Sequence, residues 1–308
     1  MSMQNGVAAG FICHEPDLAR FQAALGAMID QAERIYVADN ASACQKDLSD
    51  FLAKSSAAGR IVFLPSESNR GVSEVLDDLL KRAEQDHMTW LISMDQDSIL
   101  EDGALAKLVE TGEKYQAAVV SPLVRDIRRK NETAPKREDR ITETEFCITS
   151  GCLMNVKEVL ACGGMDRFLF IDFVDTELCH RLHLAGKRIL LDHRVMLDHE
   201  LGTITPARLE KFWLFLAQKL RLPALGKLSY HREVVPLRMY YATRNALYLE
   251  EKYRDHPHPF FSEKWAVQNG ISSILRGRQK IRIWKAFRRG LKDGKKAKAE
   301  VREKRREE

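Results

Sequence analysis

Between Gly6 and Val124 short apolar runs alternate with longer amphipathic stretches, and this alternation constrains the fold more than any other feature of the chain. VAAGFIC, RIYVAD, RIVFL, TWLISM and AAVVSPLV have strand length and composition, whereas the intervening segments 17–29, 44–55, 72–86 and 101–113 repeat apolar residues at helical spacing. Strands separated by helices of that length predict βαβ units, and so an α/β fold with a Rossmann-like, mostly parallel sheet flanked by helices. The segment 125–145, RDIRRKNETAPKREDRITETE, is polar and contains a proline, which predicts a long loop. After it the pattern predicts a strand at EFCITSG, a helix near 155–161, a turn at Gly163–Gly164, a helix near 175–185 and a strand in KRILLDHRVMLDH. Beyond Pro206 it turns helical, near 206–220, 232–254, 261–275 and 280–292. The expected organisation is an α/β domain over 1–205 and a helical C-terminal region over 206–308.

Composition removes several function classes. No apolar run approaches the roughly 20 residues of a membrane-spanning helix, and the start, MSMQNGVAAGFICHEPD, has no basic stretch leading into an apolar one. The six cysteines form no CxxC pair, which fits free thiols in a reducing compartment. These features together predict a cytoplasmic protein. The net charge of +5 is uneven: residues 276–308 hold 15 Lys/Arg and 5 Asp/Glu, so the remainder of the chain is net acidic. An acidic body without a basic patch interleaved with aromatics argues against nucleic acid as a partner.

Ligands of open α/β sheets bind outside the carboxyl ends of the strands, so the residues just after each apolar run are the candidates. RIYVA ends in Asp39-Asn40-Ala41-Ser42, RIVFL leads to Asn69-Arg70-Gly71, and TWLISM ends in Asp95-Gln96-Asp97-Ser98. Two carboxylates two residues apart at a strand end can share Mg²⁺ or Mn²⁺, which completes its shell with water and substrate phosphate oxygens. The same residues also suit a plainer role, since Asp and Ser are favoured at helix N-caps and Asp-Asn-x-Ser is good turn chemistry. The first strand is followed by His14-Glu15-Pro16 rather than GxGxxG, and no GxxxxGK[ST] occurs. Dinucleotide redox chemistry and P-loop hydrolysis therefore have no support.

The ordered set D-N-A-S at 39–42, N-R-G-V-S at 69–73, M-D-Q-D-S at 94–98, S-G-C-L-M at 150–154, F-I-D-F-V-D-T-E-L-C-H-R-L at 170–182, H-E-L-G at 199–202 and Y-Y-A-T-R-N at 240–245 resembles the family 2 glycosyltransferases, most closely their bacterial rhamnosyltransferase branch. The resemblance implies a GT-A fold and an inverting, metal-dependent transfer of L-rhamnose from dTDP-L-rhamnose to a bacterial surface polysaccharide, with transfer from a UDP-sugar, and after it nucleotidyl transfer or non-catalytic sugar-nucleotide binding, as the alternatives. It implies donor contacts from Asp39, Asn69, Asp95 and Arg244, metal contacts from Asp97 and His199, and Asp175 as the base. Asp172, Glu177 and Asn245 fall where acceptor or supporting residues are expected. The implied partners are a nucleotide-sugar donor and a glycan acceptor, which can be lipid-linked, while a homo-oligomer stays open. In one place the sequence departs from the family pattern: Val75, Leu76, Asp77 and Asp78 stand where relatives carry a small residue and an Asn.

The C-terminal region carries its own pattern. Ile281, Trp284, Phe287 and Leu291 share one helical arc, with basic residues over the rest of the circumference, which predicts a peripheral membrane helix within 280–308. Residues 293–308 read as a solvated charge run.

Overall fold

The computed structural model describes residues 6–127, 135–200, 204–206, 210–219, 230–232 and 234–307. Its chain divides into two compact units, one of residues 1–170 and 174–200, the other of residues 171–173 and 201–308.

The first unit opens with the expected βαβ succession: β1 (Val7–Cys13), α1 (Leu18–Ile29), β2 (Arg34–Asp39), α2 (Gln45–Ala53), β3 (Ile61–Pro65), α3 (Gly71–Gln85) and β4 (Trp90–Asp95). These strands pair in parallel in the order β3-β2-β1-β4, placing the ends of β1, β2 and β4 at one edge. Helix α1 shows why the segments fold this way. Asp17 Oδ1 accepts hydrogen bonds from the amides of Ala19 and Arg20, capping the helix, and Phe21, Ala24, Leu25 and Met28 form a buried stripe. Phe21 meets the Phe11 ring edge-on at 5.5 Å, so truncating it to alanine would cost about 3 to 5 kcal/mol.

The unit continues through β5 (Ile99–Leu100), α4 (Ala104–Tyr115), β6 (Val119–Asp126), β7 (Ile141–Glu143), β8 (Cys152–Asn155), α5 (Val156–Ala161), α6 (Val174–Leu184) and β9 (Ile189–His199). The sheet extends past β4 as β8-β6-β9-β5, with β7 on β9. β8 runs antiparallel to both β4 and β6, whereas β6 and β9 are parallel, so this half of the sheet is mixed. The strand expected at EFCITSG is displaced. Residues 149–151 form a turn, with Gly151 at φ +73° donating its amide to the Ser93 carbonyl at 2.7 Å, and pairing begins at Cys152. Cys147 Sγ lies 3.8 Å from Cys152 Sγ and 3.7 Å from Cys179 Sγ. The contact with Cys152 and burial push the Cys147 thiol up against the opposing effect of Cys179, and the contact with Cys147 and burial push the Cys179 thiol up, which keeps both protonated.

The second unit pairs β10 (Ile204–Pro206) with β11 (Tyr230–Arg232) and contains α7 (Glu210–Lys219), α8 (Pro236–Lys252), α9 (Glu263–Arg276) and α10 (Lys280–Glu307). Helix α10 runs well past the expected end at 292. Its buried stripe is Ile283, Phe287, Gly290, Gly294 and Ala297. The expected apolar arc is therefore split: Phe287 packs inward against Gly270, while Ile281 and Trp284 stay exposed. Gly290 sits so close to α8 that a Cβ there would lie 2.6 Å from the Tyr240 carbonyl oxygen. The charge run beyond 293 is partly engaged, with Lys298 on Glu250 at 2.6 Å, Arg302 on Glu251 at 2.9 Å and Arg305 on Asp255.

Candidate active site

Asp95 closes β4, and the D-Q-D-S turn leads directly into β5. β5 pairs with the end of β9, setting Ile99 opposite Asp198 and Leu100 opposite Leu197. This pairing is what carries His199, a hundred residues later, to the same turn. His199 Nδ1 lies 3.9 Å from Asp95 Oδ2 and 4.0 Å from Asp97 Oδ1. Among the described residues these three form the one group whose potential ligand atoms all fall within 4.8 Å of one another. Hard divalent cations take oxygen ligands at about 2.0 to 2.6 Å, and imidazole suits several transition metals. Two carboxylates and an imidazole with ligand atoms within 4.8 Å of one another are donor types that suit Mg²⁺ or Mn²⁺.

A layer of serines orients the triad. Ser98 Oγ is 2.7 Å from His199 Nδ1, Ser150 Oγ donates to Ser98 Oγ at 2.8 Å, and the Asp95 amide donates to Ser150 Oγ at 3.2 Å. Ser98 and Ser150 are buried. Burial raises the Asp95 pKa; the charges of Asp97 and Asp175 add to the rise, while His199 and the Ser150 hydroxyl oppose it. A carboxylate crowded by charges of its own sign is stabilised by an adjacent cation.

The neighbouring strand ends converge on this edge. The His14 amide donates to Gln96 Oε1 at 2.8 Å, and His14 Nδ1 is 3.0 Å from the Asn40 carbonyl oxygen. Asn40 Nδ2 donates to Asn69 Oδ1 at 3.0 Å, and the Gly71 amide donates to the same oxygen at 3.0 Å. Gly71 has φ +81°, and a Cβ there would lie 2.4 Å from the Phe170 carbonyl oxygen. Asp39 is buried, and its carboxylate accepts from the Ser42 amide at 3.1 Å, from the Ser42 hydroxyl and from Gln45 Nε2 at 2.8 Å. It braces the D-N-A-S turn from beneath.

Asp175 lies in the first turn of α6, its Oδ1 accepting from the Thr176 amide at 2.7 Å, near enough for its charge to act on Asp95. Glu177, two residues on, is fully buried and paired with Arg181, which donates from Nε at 2.9 Å and from Nη2 at 3.0 Å. Arg181 also donates to the Gly164 carbonyl, so this pair fastens α6 to the glycine turn. The departure at 75–78 is structural as well. Asp77 receives the Met165 amide at 2.9 Å and ion pairs from Lys81 and Arg167, and Asp78 pairs with Arg167 and Arg70.

In the second unit, Asp172 and Phe173 both adopt left-handed backbone, at φ +64° and +68°. Two such residues in succession store strain that the surroundings must hold, a condition common at functional sites. Asn245 Nδ2 donates to the Ile171 and Asp172 carbonyls at 2.9 and 3.0 Å, and Arg238 Nε donates to Asp172 Oδ1 at 3.0 Å. Arg244 rests over the Tyr241 ring at 4.7 Å and donates to Asn245 Oδ1. Asn245 thus secures the strained turn itself.

The family model for glycosyl transferase family 2 matches residues 13–171, just over half of the sequence. The chain belongs to this family. No curated protein matches it. Among solved structures it is similar to GalNAc-T7 with UDP, GalNAc and Mn²⁺, at 12% identity and a TM-score of 0.56, covering 87% of this chain and 57% of that one. It is also similar to residues 1–349 of S. aureus TarS in complex with UDP, at 12% identity and a TM-score of 0.53, covering 97% and 91%. At this identity the likeness concerns the fold, and this family 2 chain has the GT-A architecture, with a helical C-terminal region. It spans little more than half of GalNAc-T7. Of the two serines that orient the site, Ser98 stands at the strand end the sequence points to, whereas Ser150 is visible only inside the S-G-C-L-M motif quoted for the resemblance.

Proposed function

We propose that this chain is an inverting, divalent-metal-dependent glycosyltransferase that moves L-rhamnose from dTDP-L-rhamnose onto a bacterial surface polysaccharide, of O-antigen or capsule type. The observation that carries the metal-dependent part is the Asp95–Asp97–His199 set at the carboxyl end of β4. Asp97, His199 and Asp95 would hold Mg²⁺ or Mn²⁺, which supplies positive charge to the departing diphosphate. Asp39 and Asn69 shape the nucleotide side of the site through the turns they brace, and Arg244 is the further donor-side residue. Asp175 accepts the proton of the acceptor hydroxyl as its oxygen attacks the anomeric carbon, a role worth about 10²- to 10⁴-fold. Asp172 and Asn245 support the acceptor side by fixing the turn at 171–173, and Glu177 acts through its pairing with Arg181. Free cysteines agree with a reducing, cytoplasmic setting.

A second reading, transfer from a UDP-sugar, is favoured by the UDP bound in the similar GalNAc-T7 and TarS structures. The test is to incubate the protein with dTDP-L-rhamnose or with UDP-sugars, with and without Mn²⁺, and measure release of the nucleoside diphosphate. Cation-dependent release of dTDP alone supports the rhamnosyl reading, whereas release of UDP alone replaces it with the second.

A further inference from the structure

The hairpin formed by α9 and α10 has an unusual surface. From Lys264 to Lys292 the chain carries nine Lys/Arg and no Asp or Glu. Within this stretch four large apolar side chains are exposed: Ile271 at 53%, Leu275 at 59%, Ile281 at 72% and Trp284 at 44%. Leu275 and Ile281 flank the connection between the two helices, and Arg278, Lys280 and Arg282, interleaved with them, are exposed too. One turn further along α10, the Arg288 guanidinium lies 4.8 Å over the Trp284 ring.

These side chains are not displaced core. The inward face of α10 is already filled by Ile283, Phe287, Gly290, Gly294 and Ala297, and that of α9 by Ala266, Gly270 and Ser273. Ile281 and Trp284 lie one turn apart on α10, outside its packed stripe, and Ile271 and Leu275 one turn apart on α9. We infer that the tip of this hairpin docks on an anionic lipid bilayer, with Leu275, Ile281 and Trp284 entering the headgroup boundary and the surrounding cations meeting lipid phosphates. Charge complementarity selects this occupant: a surface with no acidic residue over this length repels a second copy of itself and attracts an anionic membrane. Amphipathic helices with Lys/Arg beside Trp and Leu lie in that interface without crossing it. No helix among the described residues is long and apolar enough to cross.

The test is flotation of the full chain with vesicles of neutral phosphatidylcholine, or of phosphatidylcholine mixed with phosphatidylglycerol, together with Trp fluorescence. The expected result is co-flotation with the anionic vesicles only, a blue shift of the emission, and release at high salt. Ile281→Glu combined with Trp284→Glu should lower partitioning by about tenfold or more, because it removes two apolar anchors and adds two repelling charges. Both positions are exposed, so the double variant should melt like the parent. A chain that stays soluble at low salt with anionic vesicles overturns the inference, as does a folded double variant that floats unchanged. A self-association that this variant abolishes, in a chain that does not float, overturns it in favour of a dimer contact. None of these readouts uses a nucleotide sugar, so failure here leaves the transferase reading untouched.

Discussion

Asp97→Asn should strengthen the fold and abolish its response to metal at the same time. The Asp95 and Asp97 oxygens that could share a cation are within 4.8 Å of each other. Two like charges at that distance repel by about 3 kcal/mol at an effective dielectric of 20 and by about 1 kcal/mol in water. Asp95 is partly desolvated, but the two side chains are still 45% and 31% exposed, so solvent screening favours the lower figure. Without metal, the variant should gain about 1 kcal/mol, roughly 2 to 4 °C in melting temperature for a unit of this size. Wild type with cation at about 100 times its dissociation constant should gain about 2.7 kcal/mol, and the variant should gain little. The assay is thermal unfolding of both proteins in EDTA and in MnCl₂. A variant that melts at or below wild type in EDTA, or that is stabilised by Mn²⁺ as wild type is, would refute the idea that these carboxylates form a cation site.

The remaining predictions concern other parts of the same unit. Asp175→Asn should lower transfer by about 10²-fold or more while nucleotide affinity stays at the wild-type level, read by turnover and calorimetry on the same preparation. Gly71→Ala should lose about 2 kcal/mol or more in denaturant unfolding, since alanine would adopt a left-handed φ and press on the Phe170 carbonyl; an unchanged midpoint contradicts that geometry. Burial acts to raise the Asp77 and Asp78 carboxyls, but hydrogen bonds from Lys81, the Met165 amide, Arg167 and Arg70 outweigh it and hold both below the ordinary range. Their contribution is therefore complete above the ordinary carboxylate pKa of about 4 and is lost as pH falls through the lower folded values. Acid unfolding of Asp77→Asn should accordingly show a flatter loss of stability below about pH 4 than wild type.

The first four strands and the helices between them were legible because β1, β2 and β4 are apolar runs buried in a parallel sheet, β3 is a half-buried one at its edge, and the intervening helices carry clear apolar stripes. Asp95 and Asp97 were legible as strand-end carboxylates, and His199 only through the motif, since nothing local in L-D-H-E announces the β5–β9 pairing that carries it there. The strand at EFCITSG was misplaced because its apolar residues precede a glycine turn, while the segment that pairs is the short Cys152–Asn155. The inward face of α10 was misjudged because both of its faces carry large apolar residues, Ile283 and Phe287 on one, Ile281 and Trp284 on the other. What decides between them is the pair of glycines at 290 and 294, which let the backbone approach α8. Glu177 looked available on sequence because its partner Arg181 is one helical turn away, a spacing equally common on solvated faces.

Calorimetric titration of dTDP, UDP and GDP into the protein, with and without Mn²⁺, reads the metal–diphosphate site itself. Binding should fall sharply when the cation is removed, with dTDP preferred. Binding that ignores the cation, or no binding of any nucleoside diphosphate, would contradict the assignment of Asp95, Asp97 and His199 to a metal–diphosphate site.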